Sequence, residues 1–225
     1  AKLLLDEKGI RDGVTIKIRK YIPVAAGMAG GSTDAAAVLV GVNRMFDLGF
    51  TKKELMERGV KLGADVPYCI MRGTALSEGI GEILTELPAP PQCHLVIAKP
   101  QISVSTKAVY GKLRVNELAP EEHPDIDGMM AAIKNGDLDG VIERLGNVLE
   151  TVTVPDHPEI AEIKEIMVEN GACGSLMSGS GPTVFGIYKD RELAEKACQA
   201  LREADGGRLT RQVYLTEFYN RKKAR

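Results

Sequence analysis

Three short constellations carry residue types suited to chemistry. The first is Gly27-Met28-Ala29-Gly30-Gly31-Ser32-Thr33-Asp34. Glycines let a backbone turn its N–H groups toward a ligand and approach it closely. A helix starting at such a loop adds unsatisfied N–H donors and the positive end of its dipole. That pairing suits a triphosphate. Ser32 and Thr33 can donate to phosphate or contact Mg²⁺, and Asp34 sits where the dipole favours an anion. A Gly-rich turn with a Ser/Thr cap and no ligand would read the same way. The loop is neither a Walker motif nor a dinucleotide fingerprint, because GxxxxGK[ST] is absent from the chain and no GxGxxG precedes the helix.

The second constellation is Gly63-Ala64-Asp65-Val66-Pro67. A carboxylate at the edge of an element can orient a hydroxyl nucleophile or accept its proton in phosphoryl transfer; it can equally cap N–H groups of its own turn. The third is Gly174 to Thr183 (GSLMSGSGPT), a turn of small residues between two apolar runs. It either permits close approach of a substrate or of the first loop, or is a simple hairpin. A weaker fourth, Gly79-Ile80-Gly81-Glu82, reads as a plain hairpin turn.

The surrounding pattern supplies elements to position these groups. Ala1 to Lys8 followed by Gly9 reads as the last turns of a helix with a glycine stop, with no signal-peptide pattern. Val14 to Lys20 alternates apolar and polar residues, which predicts a half-buried strand. Apolar residues at Ala35, Val38, Leu39, Val42, Met45 and Phe46 have helical spacing. Thr51 with Glu54 forms a capping box for a second helix that stops near Gly63. Val66 to Met71 is a short apolar strand candidate.

Pro88, Pro90 and Pro91 mark a boundary, giving domains 1–90 and 91–225. The later half predicts a strand at 94–99 and a helix capped by Ser105 or Thr106 and running to Leu113. Helices follow at 125–134, 137–149 and 157–170. Strands at 173–177 and 183–188, a helix at 191–203 and a strand at 211–217 complete it. That order is a split βαβ, ferredoxin-like layer with extra helices in its first crossover. The fold class is therefore α+β, with an N-terminal α/β domain that carries the Gly-rich loop.

Composition excludes other classes. The 225 residues are 44% apolar, enough for a sizeable core, and only 4% aromatic, so that core is aliphatic. The net charge of −2 and interspersed charges give no basic footprint for nucleic acid. Arg221, Lys222, Lys223 and Arg225 read as a solvated tail. No apolar run reaches membrane-spanning length. Cys69, Cys93, Cys173 and Cys198 are scattered without metal spacing, and His94, His123 and His157 are isolated. Reduced thiols predict a cytoplasmic location.

PVAAGMAGGSTDAAA resembles the phosphate loop of the GHMP kinases, and GSLMSGSGPTVFG resembles that family's C-terminal glycine motif. LGADVPYCI, GIGE and VSTKAVY extend the likeness, in order, over nearly the whole chain. The resemblance implies an ATP- and Mg²⁺-dependent small-molecule kinase with the two-domain fold of that family. Pro23, Val24, Ala25, Ala26, Gly27, Met28, Ala29, Gly30, Gly31, Ser32 and Thr33 fall on the ATP loop, with Ser32 near the metal. Asp65 falls on the catalytic Asp. Tyr110, otherwise a core residue on a helix face, falls where an aromatic ring lies against cytosine. Thr106, Gly179 and Ser180 fall on the substrate side.

The implied acceptor is the 2-hydroxyl of a cytidine diphosphate-linked methylerythritol, and the implied assembly a monomer or homodimer. Alternatives are another kinase of the family, of homoserine or mevalonate type, or a non-catalytic nucleotide-binding relative. The resemblance also implies a catalytic lysine ahead of Ala1. Lys2 and Lys8 stand in a different context, so the sequence reads as starting partway through a longer chain.

Overall fold

A computed structural model describes residues 1–219. The basic tail predicted at Arg221, Lys222, Lys223 and Arg225 lies outside the described residues. The chain forms two compact units. The first comprises Ala1–Val24 and Ala29–Leu87, the second Ala25–Met28 and the chain from Pro88 onward.

The first unit is mostly helical: α1 (Lys2–Glu7), α2 (Gly30–Met45), α3 (Lys52–Gly59) and α4 (Val66–Met71), then the antiparallel hairpin β1 (Thr74–Glu78) and β2 (Ile83–Leu87). Its core joins Leu4 and Leu5 of α1 to Ala36, Leu39 and Val42 of α2, Leu55 of α3, and Val66 and Ile70 of α4. Each such leucine, isoleucine or valine side chain, fully buried, stabilises the unit by roughly 1.5–3 kcal/mol before entropy is counted. Thr51 caps α3 as predicted, accepting from the Glu54 backbone N–H while the Glu54 carboxylate accepts from the Thr51 N–H.

Two predicted strands fail here. Among the described residues Val14 to Lys20 has no ladder partner, and Ile16 and Ile18 are 46% and 60% exposed. Alternation marks two faces, but a strand also needs a neighbouring strand to receive its N–H and C=O groups. Val66–Met71 is helical, not extended. A short apolar run fits either state, and Pro67, in the first turn, leaves no N–H unsatisfied there.

The second unit opens with β3 (His94–Pro100) and α5 (Thr106–Lys112). Then come α6 (Ile126–Asn135), α7 (Leu138–Glu143), α8 (Glu150–Asp156) and α9 (Pro158–Glu169). It closes with β4 (Gly174–Met177), β5 (Val184–Tyr188), α10 (Arg191–Glu203) and β6 (Thr210–Glu217). The sheet order is β4-β5-β3-β6, antiparallel throughout, which is the ferredoxin-like order expected from the sequence. β3 alternates between two cores. Val96 and Ala98 meet Ile160, Ile163 and Met167 of α9 and Ala197 and Leu201 of α10, while Leu95 faces Ile187 with Leu138 and Ile142 of α7. The helix predicted over 137–149 stops at Glu143 as α7, and α8 begins at Glu150, beyond the predicted span. Asn147 lies in the break, where its Oδ1 accepts from the Leu149 N–H.

Candidate active site

Within the first unit, α2 is entered through Ala29, which holds φ +47°. A left-handed alanine costs about 1–2 kcal/mol, and such strain concentrates at functional loops. No side chain caps α2, so the N–H groups of Gly30, Gly31 and Ser32 have no partner within the helix. A Cβ on Gly31 would meet nothing within 4 Å, so the backbone lies open there. Gly30 needs its bareness: a Cβ would stand 2.8 Å from Ile22 Cγ2 and 3.1 Å from Lys20 Nζ.

The two hydroxyls of this turn differ. Thr33 donates to the Ala29 carbonyl at 3.0 Å and sits 3.5 Å from Cys69 Sγ. Among the described residues nothing hydrogen-bonds the Ser32 hydroxyl, which is free for a ligand. Lys20 Nζ reaches Asp34 Oδ2 at 2.5 Å.

Asp65 precedes α4, which packs against α2 and α3. Its backbone carbonyl accepts from the Cys69 N–H, but its carboxylate caps nothing. Among the described residues no hydrogen bond or ion pair engages that carboxylate, and the residue is exposed. The capping role that the sequence allowed is therefore absent. The turn that carries Asp65 lies beside α2: a Cβ on Gly63 would stand 3.9 Å from Ser32 Oγ. It lies beside the hairpin too, with the Ala64 carbonyl oxygen 3.5 Å from a Cβ on Gly81. Burial pushes the Cys69 thiol up; the Thr33 contact lowers it, and the nearby Asp65 charge raises it further. A protonated thiol there is a neighbour rather than a nucleophile.

Residues Ala25–Met28 belong to the second unit. Ala25 and Gly27 both have positive φ, +51° and +67°. The Ser178 hydroxyl donates to the Gly27 carbonyl at 2.8 Å, and a Cβ on Gly27 would fall 2.2 Å from the Ser178 carbonyl oxygen. Gly27 thus meets the third constellation within this unit, and only glycine fits. Two residues that sequence reasoning missed hold the Gly179 turn. Asn147 Nδ2 donates to the carbonyls of Met177 and Gly179 at 2.9 and 2.8 Å, and Thr153 Oγ1 donates to the Ser180 carbonyl at 3.3 Å.

Thr106 and Ser180, expected on the substrate side, come together, their hydroxyls 2.8 Å apart. Tyr110, one turn further along α5, is 61% exposed and takes no part in the core, which Val109 fills instead. Gly179 is exposed with φ +55°. Pro23 and Val24 precede the turn, and Val24 is 73% exposed. Ala26 is buried at 3% exposure. Met28 is half-buried. Among the described residues no group of three His, Cys, Asp or Glu side chains could hold a metal ion, and no helix is long and apolar enough to cross a membrane.

Residues 1–73 match the family described as GHMP kinases N terminal domain, and residues 129–206 match GHMP kinases C terminal. The chain is 54% identical over 217 residues to 4-diphosphocytidyl-2-C-methyl-D-erythritol kinase of Lachnospira eligens, covering 96% of this chain and 74% of that protein. It is 50% identical over 202 residues to the enzyme of that name from Geobacillus kaustophilus, covering 90% and 69%. A crystal structure of 4-(cytidine 5'-diphospho)-2C-methyl-D-erythritol kinase superposes with a TM-score of 0.79 at 30% identity, over 96% of this chain and 75% of that one. Homoserine kinase from Cytophaga hutchinsonii superposes at 0.80 with 21% identity, over 96% and 73%, a likeness of fold alone.

Proposed function

The chain belongs to the GHMP kinases, and from that premise we propose that it transfers the γ-phosphoryl group of ATP to the 2-hydroxyl of 4-diphosphocytidyl-2-C-methyl-D-erythritol. The reaction is a step in making isoprenoid precursors. The observation that carries this reading is identity near one half, over most of the chain, to several kinases of that name. The homoserine and mevalonate kinases share its fold at 12–21% identity.

Phosphoryl transfer asks for positioning and charge stabilisation more than covalent chemistry. In our reading Pro23 to Thr33 form the ATP loop, with the open N–H groups of Gly30, Gly31 and Ser32 directed to phosphate oxygens. Asp65 orients or deprotonates the acceptor hydroxyl; its unengaged carboxylate supports that role. Tyr110 stacks on the cytosine, and its exposure on α5 supports this. Thr106, Gly179 and Ser180 line the substrate side.

Mg²⁺ supplies neutralisation of phosphate charge in such reactions. The free Ser32 hydroxyl beside the uncapped N–H groups of α2 fits an ion held chiefly by phosphates and water, and would be its protein contact. We place the enzyme in the cytoplasm, as a monomer or homodimer acting on a small molecule and not on nucleic acid. The four cysteines, all free thiols, support a reducing compartment.

The test is a coupled assay of ADP release with the cytidine substrate, homoserine and mevalonate in parallel. Turnover with the cytidine substrate alone is expected. Turnover with homoserine or mevalonate instead would assign the chain to another branch of the family, and nucleotide binding without any turnover would favour the non-catalytic reading.

A further inference from the structure

Lys20 lies at the wrong end of a dipole. Its ammonium is 3.1 Å from the point where a Cβ on Gly30 would stand, so it rests against the first residue of the 16-residue helix α2. Cations are disfavoured at helix N-termini. The carboxylate that holds it, Asp34, lies 2.5 Å away on the same helix. Both side chains remain reachable from solvent, at 28% and 35% exposure. Beside the pair lie the uncapped N–H groups of Gly30, Gly31 and Ser32, the open face of Gly31 and the unengaged Ser32 hydroxyl. Positive groups from two directions therefore converge on one turn of backbone, with a single carboxylate to answer them.

We propose that Lys20 is a positioning residue for the nucleotide phosphates, a role that rests on the kinase reading above: its ammonium is held ready by Asp34 and takes a phosphate oxygen as partner when ATP binds. No covalent bond changes; one ion pair is exchanged for another. The ammonium is a point charge on a flexible stem, so it can swing between two acceptors without moving the backbone. Asp34 limits that swing and keeps the charge at the mouth of the helix. Gly30 is part of the device, because any side chain there would displace Lys20 and Ile22 together.

The primary test uses the unmodified protein. Lysines are acetylated with a limiting active ester, and each rate is read by mass spectrometry without ligand, with Mg-ATP, and with adenosine. Mg-ATP is expected to slow labelling of Lys20 at least about fivefold, adenosine is not, and the exposed Lys134 serves as a control unaffected by either. Equal labelling of Lys20 with and without Mg-ATP overturns the proposal. So does equal protection by adenosine, which would place the base or ribose there instead of the phosphates.

Calorimetry on variants adds a second reading. Lys20→Met should weaken ATP binding about tenfold, on the scale of one charge-assisted hydrogen bond. CMP affinity should stay within about twofold, and Lys20→Arg should recover most of the ATP loss. Unchanged ATP affinity in Lys20→Met, or equal losses for ATP and CMP, would overturn the assignment. Failure of the unmodified protein to phosphorylate the cytidine substrate counts against the proposed function alone, since labelling and calorimetry ask only about ATP.

Discussion

Asp65 and Tyr110 illustrate how far single residues can be read. In the sequence each had an ordinary alternative, a turn cap for one and a core position for the other, and the structure removes both alternatives. Asp65→Asn keeps size and shape but cannot accept a proton at neutral pH. The substitution should lower kcat by about 10²-fold or more, the scale of general-base catalysis, with an unchanged circular dichroism spectrum and melting temperature. Near-normal turnover would remove Asp65 from the reaction. Lys20 was not legible in the same way. Within Val14 to Lys20 it looks like Lys17 and Arg19, and only the fold tells which of the three cations reaches α2. Asn147 was hidden for a similar reason, because its amide serves carbonyls 30 and 32 residues away.

At the scale of elements, the signals that survived were those with a local physical cause. The helix over 191–203 was legible to the residue. Its apolar positions Ala194, Ala197, Cys198 and Leu201 follow helical spacing, and Asp190 caps it by accepting from the N–H groups of Glu192 and Leu193 at 2.7 and 3.2 Å. Asp190→Ala should cost about 1 kcal/mol, seen as a fall of roughly 2–4 °C in melting temperature for a chain of this size.

Elements whose state depends on partners were misread: Val14 to Lys20 has no neighbouring strand among the described residues, and Val66–Met71 carries too short an apolar run to declare itself. The Gly27 turn is a firmer case. Gly27→Ala puts a Cβ against the Ser178 carbonyl at a left-handed φ. It should destabilise the protein by at least about 1–3 kcal/mol and weaken ATP binding. An alanine variant as stable as the parent would mean that the two segments do not need this approach.

For the molecule as a whole, each compact unit has its own aliphatic core. Aromatic residues are too few to dominate either, as composition required. Leu39 is fully buried in the first core. Leu39→Ala should cost about 2–5 kcal/mol, and hydrogen exchange should show where the loss falls. Amides of α2 to α4 should exchange faster while those of β3 and β5 keep their protection, because opening follows cooperative units. Uniform acceleration would show that the whole chain opens as one unit. The ferredoxin-like order of the second unit was legible because strands and helices alternate plainly there. The composition of the units was not: Ala25–Met28 groups with residues from Pro88 onward, which no local pattern announces.

The contact between Gly27 and Ser178 has a meaning for biosynthesis. Its partners are 151 residues apart. At ribosomal rates of about 5–20 residues per second, the segment Ala25–Met28 leaves the ribosome roughly 8–30 s before the turn that holds it. During that interval its strained backbone has nothing to keep it in place. In the newborn chain this loop should therefore be among the last parts to take shape and the first that a protease could cut.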